Sequence, residues 1–99
     1  MKVKNKKQMM DELYTFKNEQ CPNENIRHSI YERNRDRAYI ILENHIEIIH
    51  FTDYQGQYFI KFVFTSDGEE YFFDNYLDAI KYFNMPIEEF NEYVLSITL

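Results

Sequence analysis

Tryptophan is absent from this chain, glycine and proline occur twice each, and cysteine occurs once. Each scarcity excludes something. A lone Cys21 rules out an intrachain disulfide, and with it the small secreted scaffold that uses disulfides in place of a core. A reducing compartment is the simpler expectation, and the chain reads as cytoplasmic. Two glycines leave hardly any material for a Gly-rich phosphate loop. Two glycines and two prolines also argue against a disordered or low-complexity chain. No apolar run approaches the ~18 residues that a membrane span needs. The basic opening MKVKNKKQMM leads into no apolar stretch of the kind a signal peptide carries. Positive charge is scarce toward the end of the chain. Residues 66–99 carry only Lys81 against eight acids, a net of −7, whereas residues 1–37 carry nine Lys/Arg against six acids, a net of +3.

Aromatic residues are what the chain has in excess, with nine Phe and nine Tyr. A core absorbs Phe, but each Tyr hydroxyl needs a partner or water. Some Tyr therefore belong at the surface, where they serve as contact residues. The length of 99 residues and a hydrophobic content of 44% predict a single domain over 1–99. A chain of this size buries roughly 60–70% of its unfolded surface, enough to fold alone.

The densest aromatic stretch, Gln57 to Phe73, predicts a β-hairpin. Asp67-Gly68 lies at its centre, and this dipeptide suits a type I′ turn, which needs φ > 0 at both central residues. A two-residue loop there pairs Ser66 with Glu69, Phe64 with Tyr71 and Phe62 with Phe73. Side chains alternate between faces, so Tyr58, Ile60, Phe62, Phe64, Tyr71 and Phe73 share one apolar face that the rest of the chain must cover.

Upstream, Asn5 to about Glu19 reads as a helix. Asn5 can cap it with Gln8 three residues on, and Met9, Leu13 and Phe16 form its stripe. From Ile26 the period changes to two. The cluster Arg33-Asn34-Arg35-Asp36 is a turn that sets Glu32 opposite Arg37. Glu43-Asn44 as a two-residue turn pairs Leu42 with His45 and Tyr39 with Ile48. Tyr54-Gln55-Gly56 as a three-residue loop pairs Thr52 with Tyr58 and Ile48 with Phe62. These registers put His28, Ile30, Tyr39, Ile41, Ile48 and His50 on the core face. Ile40, Leu42, Ile49, Phe51, Phe59, Val63 and Phe72 then fall on the other. Beyond the hairpin, Asp74 is the expected N-cap of a helix with a Tyr76, Ile80, Phe83 stripe. Pro86 opens a further helix with Ile87, Phe90, Val94 and Ile97 as its stripe. The expected fold is α+β: a five-stranded antiparallel β-meander with one N-terminal and two C-terminal helices, in the order α-β-β-β-β-β-α-α.

The residues that could carry chemistry read more plainly as structural. The three histidines lack the helical spacing or Cys/His clustering of a metal site, so no metal or other cofactor is expected. Cys21 beside Pro22 has no base placed near it. Carboxylates abound, but on turns and helix surfaces, where nothing drives their pKa values apart as acid–base catalysis requires. No enzyme is expected. Lys2, Lys4, Lys6 and Lys7 form too small a footprint on an acidic protein to predict direct nucleic-acid binding.

The expected function is non-enzymatic protein binding. Glu69, Glu70, Asp74, Asp78, Glu88, Glu89 and Glu92, interleaved with Tyr76 and Tyr93, are suited to a basic surface on a nucleic-acid-binding protein. Charge steers the encounter and aromatics hold the contact. Inhibitors of anti-CRISPR type, carried by phages or mobile elements, work in this way, and the analogy is one of size and charge alone. The alternative is a homo-oligomeric accessory domain that dimerises through Ile49, Phe51, Phe59 and Phe72 on the second sheet face.

Overall fold

A computed structural model of the chain describes residues 3–86, 88, 89, 91, 92 and 95. Helix α1 (Lys6–Gln20) is followed by five strands: β1 (Ile26–Glu32), β2 (Arg37–Leu42), β3 (Glu47–Thr52), β4 (Tyr58–Ser66) and β5 (Glu69–Phe73). Helix α2 (Tyr76–Phe83) comes last among the described elements. The strands form one antiparallel sheet in the order β1-β2-β3-β4-β5. The α+β meander is therefore as expected. The stripe Ile87, Phe90, Val94 and Ile97 of the helix expected after Pro86 lies outside the described residues. No described helix is long and apolar enough to cross a membrane.

Local chemistry sets the boundaries. Asn5 closes a full capping box with Gln8 at the start of α1, which satisfies two N–H groups that a helix end leaves open. Asp67 (φ 53°) and Gly68 (φ 80°) both take the left-handed conformation that a type I′ hairpin needs. The register of β4 with β5 follows, with Ser66 opposite Glu69 and Phe62 opposite Phe73. Gly56 (φ 84°) closes the three-residue loop from β3 to β4, where the Asp53 carboxylate accepts the Gln55 and Gln57 amides. The N-cap of α2 is Asn75 rather than Asp74. The Asn75 side chain accepts the Asp78 amide at 2.9 Å, while Asp74 is drawn sideways into an ion pair with Lys61.

One turn departs from expectation, and two strands turn over with it. The β2–β3 connection is a three-residue loop, Glu43-Asn44-His45. His45 is at φ 73°, the Leu42 amide donates to the Ile46 carbonyl at 2.9 Å, and Asn44 Oδ1 accepts the Ile46 amide. Leu42 thus faces Ile46 and not His45, and Tyr39 pairs with Ile49 and not Ile48. A one-residue change of register sends each side chain to the opposite face. Ala38, Ile40 and Leu42 are consequently buried in the core, while Tyr39 and Ile41 belong to the second face. β1 keeps the expected pairing of Glu32 with Arg37 and so turns over with β2. Tyr31 packs on the core, and His28 is exposed. A bulge between Ile26 and His28 returns Ile26 to the core side.

Both helices cover the same sheet face. α1 lies over β2 and β3, and α2 over β4 and β5. Ala38 lets α1 approach closely, with Met9 and Leu13 fully buried above the sheet. Phe62, fully buried, meets Phe16 of α1 at 5.3 Å and Tyr76 of α2 at 5.7 Å between ring centroids. Ile40→Ala should cost about 2–5 kcal/mol and Phe62→Ala about 3–5 kcal/mol, as for buried aliphatic and aromatic residues generally. Ile41→Ala should cost clearly less. Urea unfolding of the three variants checks this, and equal losses at Ile40 and Ile41 would contradict the face assignment of β2.

Candidate protein-interaction face

The second sheet face is built by alternation from all five strands, and no described helix lies on it. Its centre is aromatic. Phe51 on β3 lies 5.8 Å from Phe59 on β4 and 5.5 Å from Phe72 on β5, centroid to centroid. Ile49 is only 2% exposed on the same face, whereas Phe72 is 45% exposed. Of the four residues expected to form a dimer surface, Ile49 is therefore a floor and Phe72 the accessible ring. Phe51 and Phe59 are half-buried between them.

Acids rim this patch. Glu47 on β3 is half-buried and stands opposite Val63. Burial pushes its carboxyl above the ordinary carboxylate value, and the nearby charge of Glu70 pushes it the same way. Neither Glu47 nor Glu70 has an ion-pair partner among the described residues. The cations of this face are already engaged: Lys61 is paired with Asp74, and the Arg37 guanidinium donates to the Tyr39 hydroxyl at 3.5 Å, with Glu32 and Glu70 within electrostatic reach. Two like charges beside an apolar patch form a site that a foreign cation would relieve.

The remaining acids expected to bind a partner are not gathered on this face, since Asp78 belongs to α2 on the covered side of the sheet. Glu69, Glu70, Asp74, Asp78, Glu88, Glu89 and Glu92 are all exposed. Glu69 and Glu70 stand at the hairpin end of β5. Asp78 is engaged in the N-cap of α2, where Asn75 donates to its carboxylate. Tyr76 is half-buried against Phe62, and its hydroxyl accepts from Asn44, so it acts in packing. Tyr93 lies outside the described residues.

A second cluster of titratable groups sits under the N-terminal end of α1, and sequence reasoning missed it. His50, 1% exposed, has Nε2 3.6 Å from the Glu12 carboxylate, and neither ring nitrogen has a hydrogen-bond partner among the described residues. The Lys4 ammonium grips Glu12 and lies 5.2 Å from the centre of the Tyr58 ring. The Tyr58 hydroxyl donates to Asp36 at 2.5 Å and accepts the Lys4 amide at 3.1 Å. Nothing local in the sequence joins these residues; only the crossing of α1 over the sheet does. Burial holds the His50 imidazole below its ordinary value, partly offset by Glu12, while Lys4 adds to the lowering. A ring so enclosed reaches no substrate. Cys21 is buried as well, and desolvation raises its thiol, so it lacks the lowered pKa of a catalytic cysteine. No group of three or more metal-ligating side chains occurs among the described residues.

Comparison with known proteins adds nothing to this geometry: no family model, no curated protein and no solved structure matches the chain.

The titrating groups set two pH dependences. A histidine with a lowered folded pKa binds fewer protons folded than unfolded. Its contribution is intact above its unfolded value near 6.5 and is lost as pH falls from there through the lowered folded value. Urea unfolding between pH 7.5 and 5 should show this loss in the wild type, and His50→Phe should flatten it. Glu47 works in the opposite sense, because its raised pKa makes the ionised form a burden above the ordinary carboxylate value of 4.5. Glu47→Gln should raise Tm at pH 7, and the gain should shrink as pH falls toward 4.5. A Glu47→Gln gain that stays constant across that range would show that the carboxylate is not desolvated.

Proposed function

We propose that this protein is a non-enzymatic binding module that places its second sheet face against a basic surface of a nucleic-acid-handling protein. It would act in the cytoplasm as an inhibitor of the kind that phages and mobile elements deploy, anti-CRISPR proteins among them. The observation that carries this reading is the exposed Phe72 ring over Phe51, flanked by Glu47 and Glu70, which form no ion pair among the described residues. An aromatic anchor within an acidic rim suits a partner that presents Arg or Lys. The rings bury apolar area and stack with guanidinium groups, while the acids steer association. Glu69, exposed beside Glu70 at the hairpin end of β5, adds to the negative field at that end of the contact.

A homodimer through the same face is the second reading, and it has the apolar patch in its favour. A second copy carries the same acidic excess, a net charge of −6, so it offers the Glu47 and Glu70 rim little positive charge, and a basic heterologous partner offers more.

The test is a binding assay with a partner captured from host lysate, run at low and moderate salt. Phe72→Ala should weaken binding by about tenfold or more, as for an interface anchor. Glu69→Lys with Glu70→Lys should weaken it several-fold, chiefly through a slower on-rate, and should reduce its sensitivity to salt. Reversal of Lys4 and Lys6 should leave it unchanged or improve it. Light scattering should report a monomer. A wild-type dimer that Phe72→Glu dissociates would replace the inhibitor reading with the homo-oligomeric one.

A further inference from the structure

At the end of the sheet opposite the acidic hairpin tip, a cleft of about 630 Å³ opens between the start of α1 and the β1–β2 connection. Lys4, Asn5 and Lys6 line one side, and Tyr31, Arg33 and Asp36 the other. We propose that this cleft binds a phosphate-bearing anion of nucleotide type, either free or as a unit of single-stranded nucleic acid. The inference is independent of the protein-binding face and goes beyond it.

The charges of the lining support it. Lys6 and Arg33 are exposed, and neither has an acidic partner among the described residues. The lining contains one acid, Asp36, and its carboxylate is turned onto the Tyr58 hydroxyl at 2.5 Å. The Lys4 ammonium is neutralised by Glu12, so the uncommitted charge in the cleft is positive. Backbone donors add to it. The capping box consumes the Gln8 amide, and the Met9 amide bonds the Asn5 carbonyl. The Lys6 and Lys7 amides of the first turn are left at the positive end of the α1 dipole. A guanidinium fork on one wall and an ammonium with helix N–H groups on the other match a phosphate, which offers oxygens in several directions at once.

Size and wall chemistry narrow the ligand. A cleft of this volume falls within the range of small-molecule sites, about 300–1,000 Å³, and exceeds what a bare phosphate needs. Tyr31, packed on the core from the sheet side, and Val3 supply the apolar wall that a base requires. The strongly acidic end of the molecule does not forbid an anion here. The longest dimension is 41 Å, and the screening length at physiological salt is about 8 Å, so the hairpin acids at the far end of the sheet are screened from the cleft.

The experiment is a titration of the full chain with AMP, ATP, inorganic phosphate and a ten-residue oligo-dT, followed by amide NMR shifts and by calorimetry. Nucleotide or oligonucleotide should move the resonances of residues 4–7 and 31–36. The double variant Lys6→Glu, Arg33→Glu should weaken binding at least about tenfold, since it removes both charged donors. Lys81→Glu, on α2, and the pair Glu69→Lys, Glu70→Lys should leave it unchanged, and circular dichroism should show every variant folded. Binding of AMP or ATP identifies a free nucleotide as the ligand. Binding of oligo-dT alone identifies the phosphate as part of a strand. Absence of all four shift responses at millimolar ligand, or binding undiminished in the Lys6, Arg33 variant, overturns the proposal.

Discussion

The fold depends on the burial of Phe62. It is the residue at which three layers of contact converge: β3 and β5 on either side through Ile48 and Phe73, α1 above through Phe16, and α2 above through Tyr76. A buried aromatic ring of this size makes a large apolar contribution and permits little adjustment around it. Each helix reaches the sheet centre by meeting that one side chain. The positions of α1 and α2 are thus linked through it, although they pack over different strands. Gln20 adds a direct tie by accepting the Tyr76 amide at the start of α2.

With the helices held on one side, the sheet divides the molecule chemically. The covered side carries the aliphatic core and, at the N-terminal end of α1, a network in which Lys4, Glu12, Tyr58 and Asp36 satisfy one another around His50. The other side carries the phenylalanine cluster beside Glu47 and Glu70, which form no ion pair among the described residues. The ends of the strands differ too. Asp67, Glu69 and Glu70 gather at one end of the meander, while Lys4, Lys6 and Arg33 gather at the other. This segregation comes directly from chain order. The basic first third supplies α1 and the β1–β2 connection, and the acidic last third supplies the hairpin tip, β5 and α2.

That division was largely legible in the sequence, and its one failure is instructive. The hairpin from Tyr58 to Phe73 was readable because Asp67-Gly68 permits few alternatives and because every second residue is apolar. The β3–β4 loop was readable because Gly56 marks its left-handed position. The β2–β3 turn had no such marker. Ala38-Tyr39-Ile40-Ile41-Leu42 is apolar on both faces, so periodicity cannot orient it. The decisive residue is His45, a side chain that adopts positive φ less readily than Asn. The Asn44 carboxamide, by holding the Ile46 amide, moves the left-handed position one residue further along. Because β1 is registered on β2, a single miscounted residue inverted two strands at once. The site suffered in proportion. Its aromatic centre lies on β3, β4 and β5, whose registers match the expected ones, so Ile49, Phe51, Phe59 and Phe72 share the expected face. Its β1 and β2 margin was not, since Ile40 and Leu42 are core residues. The His50 network was illegible for another reason: its members come from α1, the β1–β2 connection, β3 and β4, and only tertiary packing brings them together.

His50 and Glu47 lie three residues apart on β3 and face opposite sides of the sheet. Burial pushes both toward their neutral forms, yet the consequences differ. For His50 the neutral form is the ordinary form at neutral pH, so its enclosure costs little there, and nothing outside the core can reach it. For Glu47 burial opposes the ionised form that a carboxylate ordinarily takes, and the charge of Glu70 deepens that penalty. A penalty of that kind on an uncovered face differs from one in a core, because a partner can remove it. A cation brought against Glu47 and Glu70 supplies the missing charge, and the apolar surface beside them is dried by the same contact. The free protein thus holds, beside the most accessible ring of its phenylalanine cluster, an electrostatic cost that binding of a basic surface would recover.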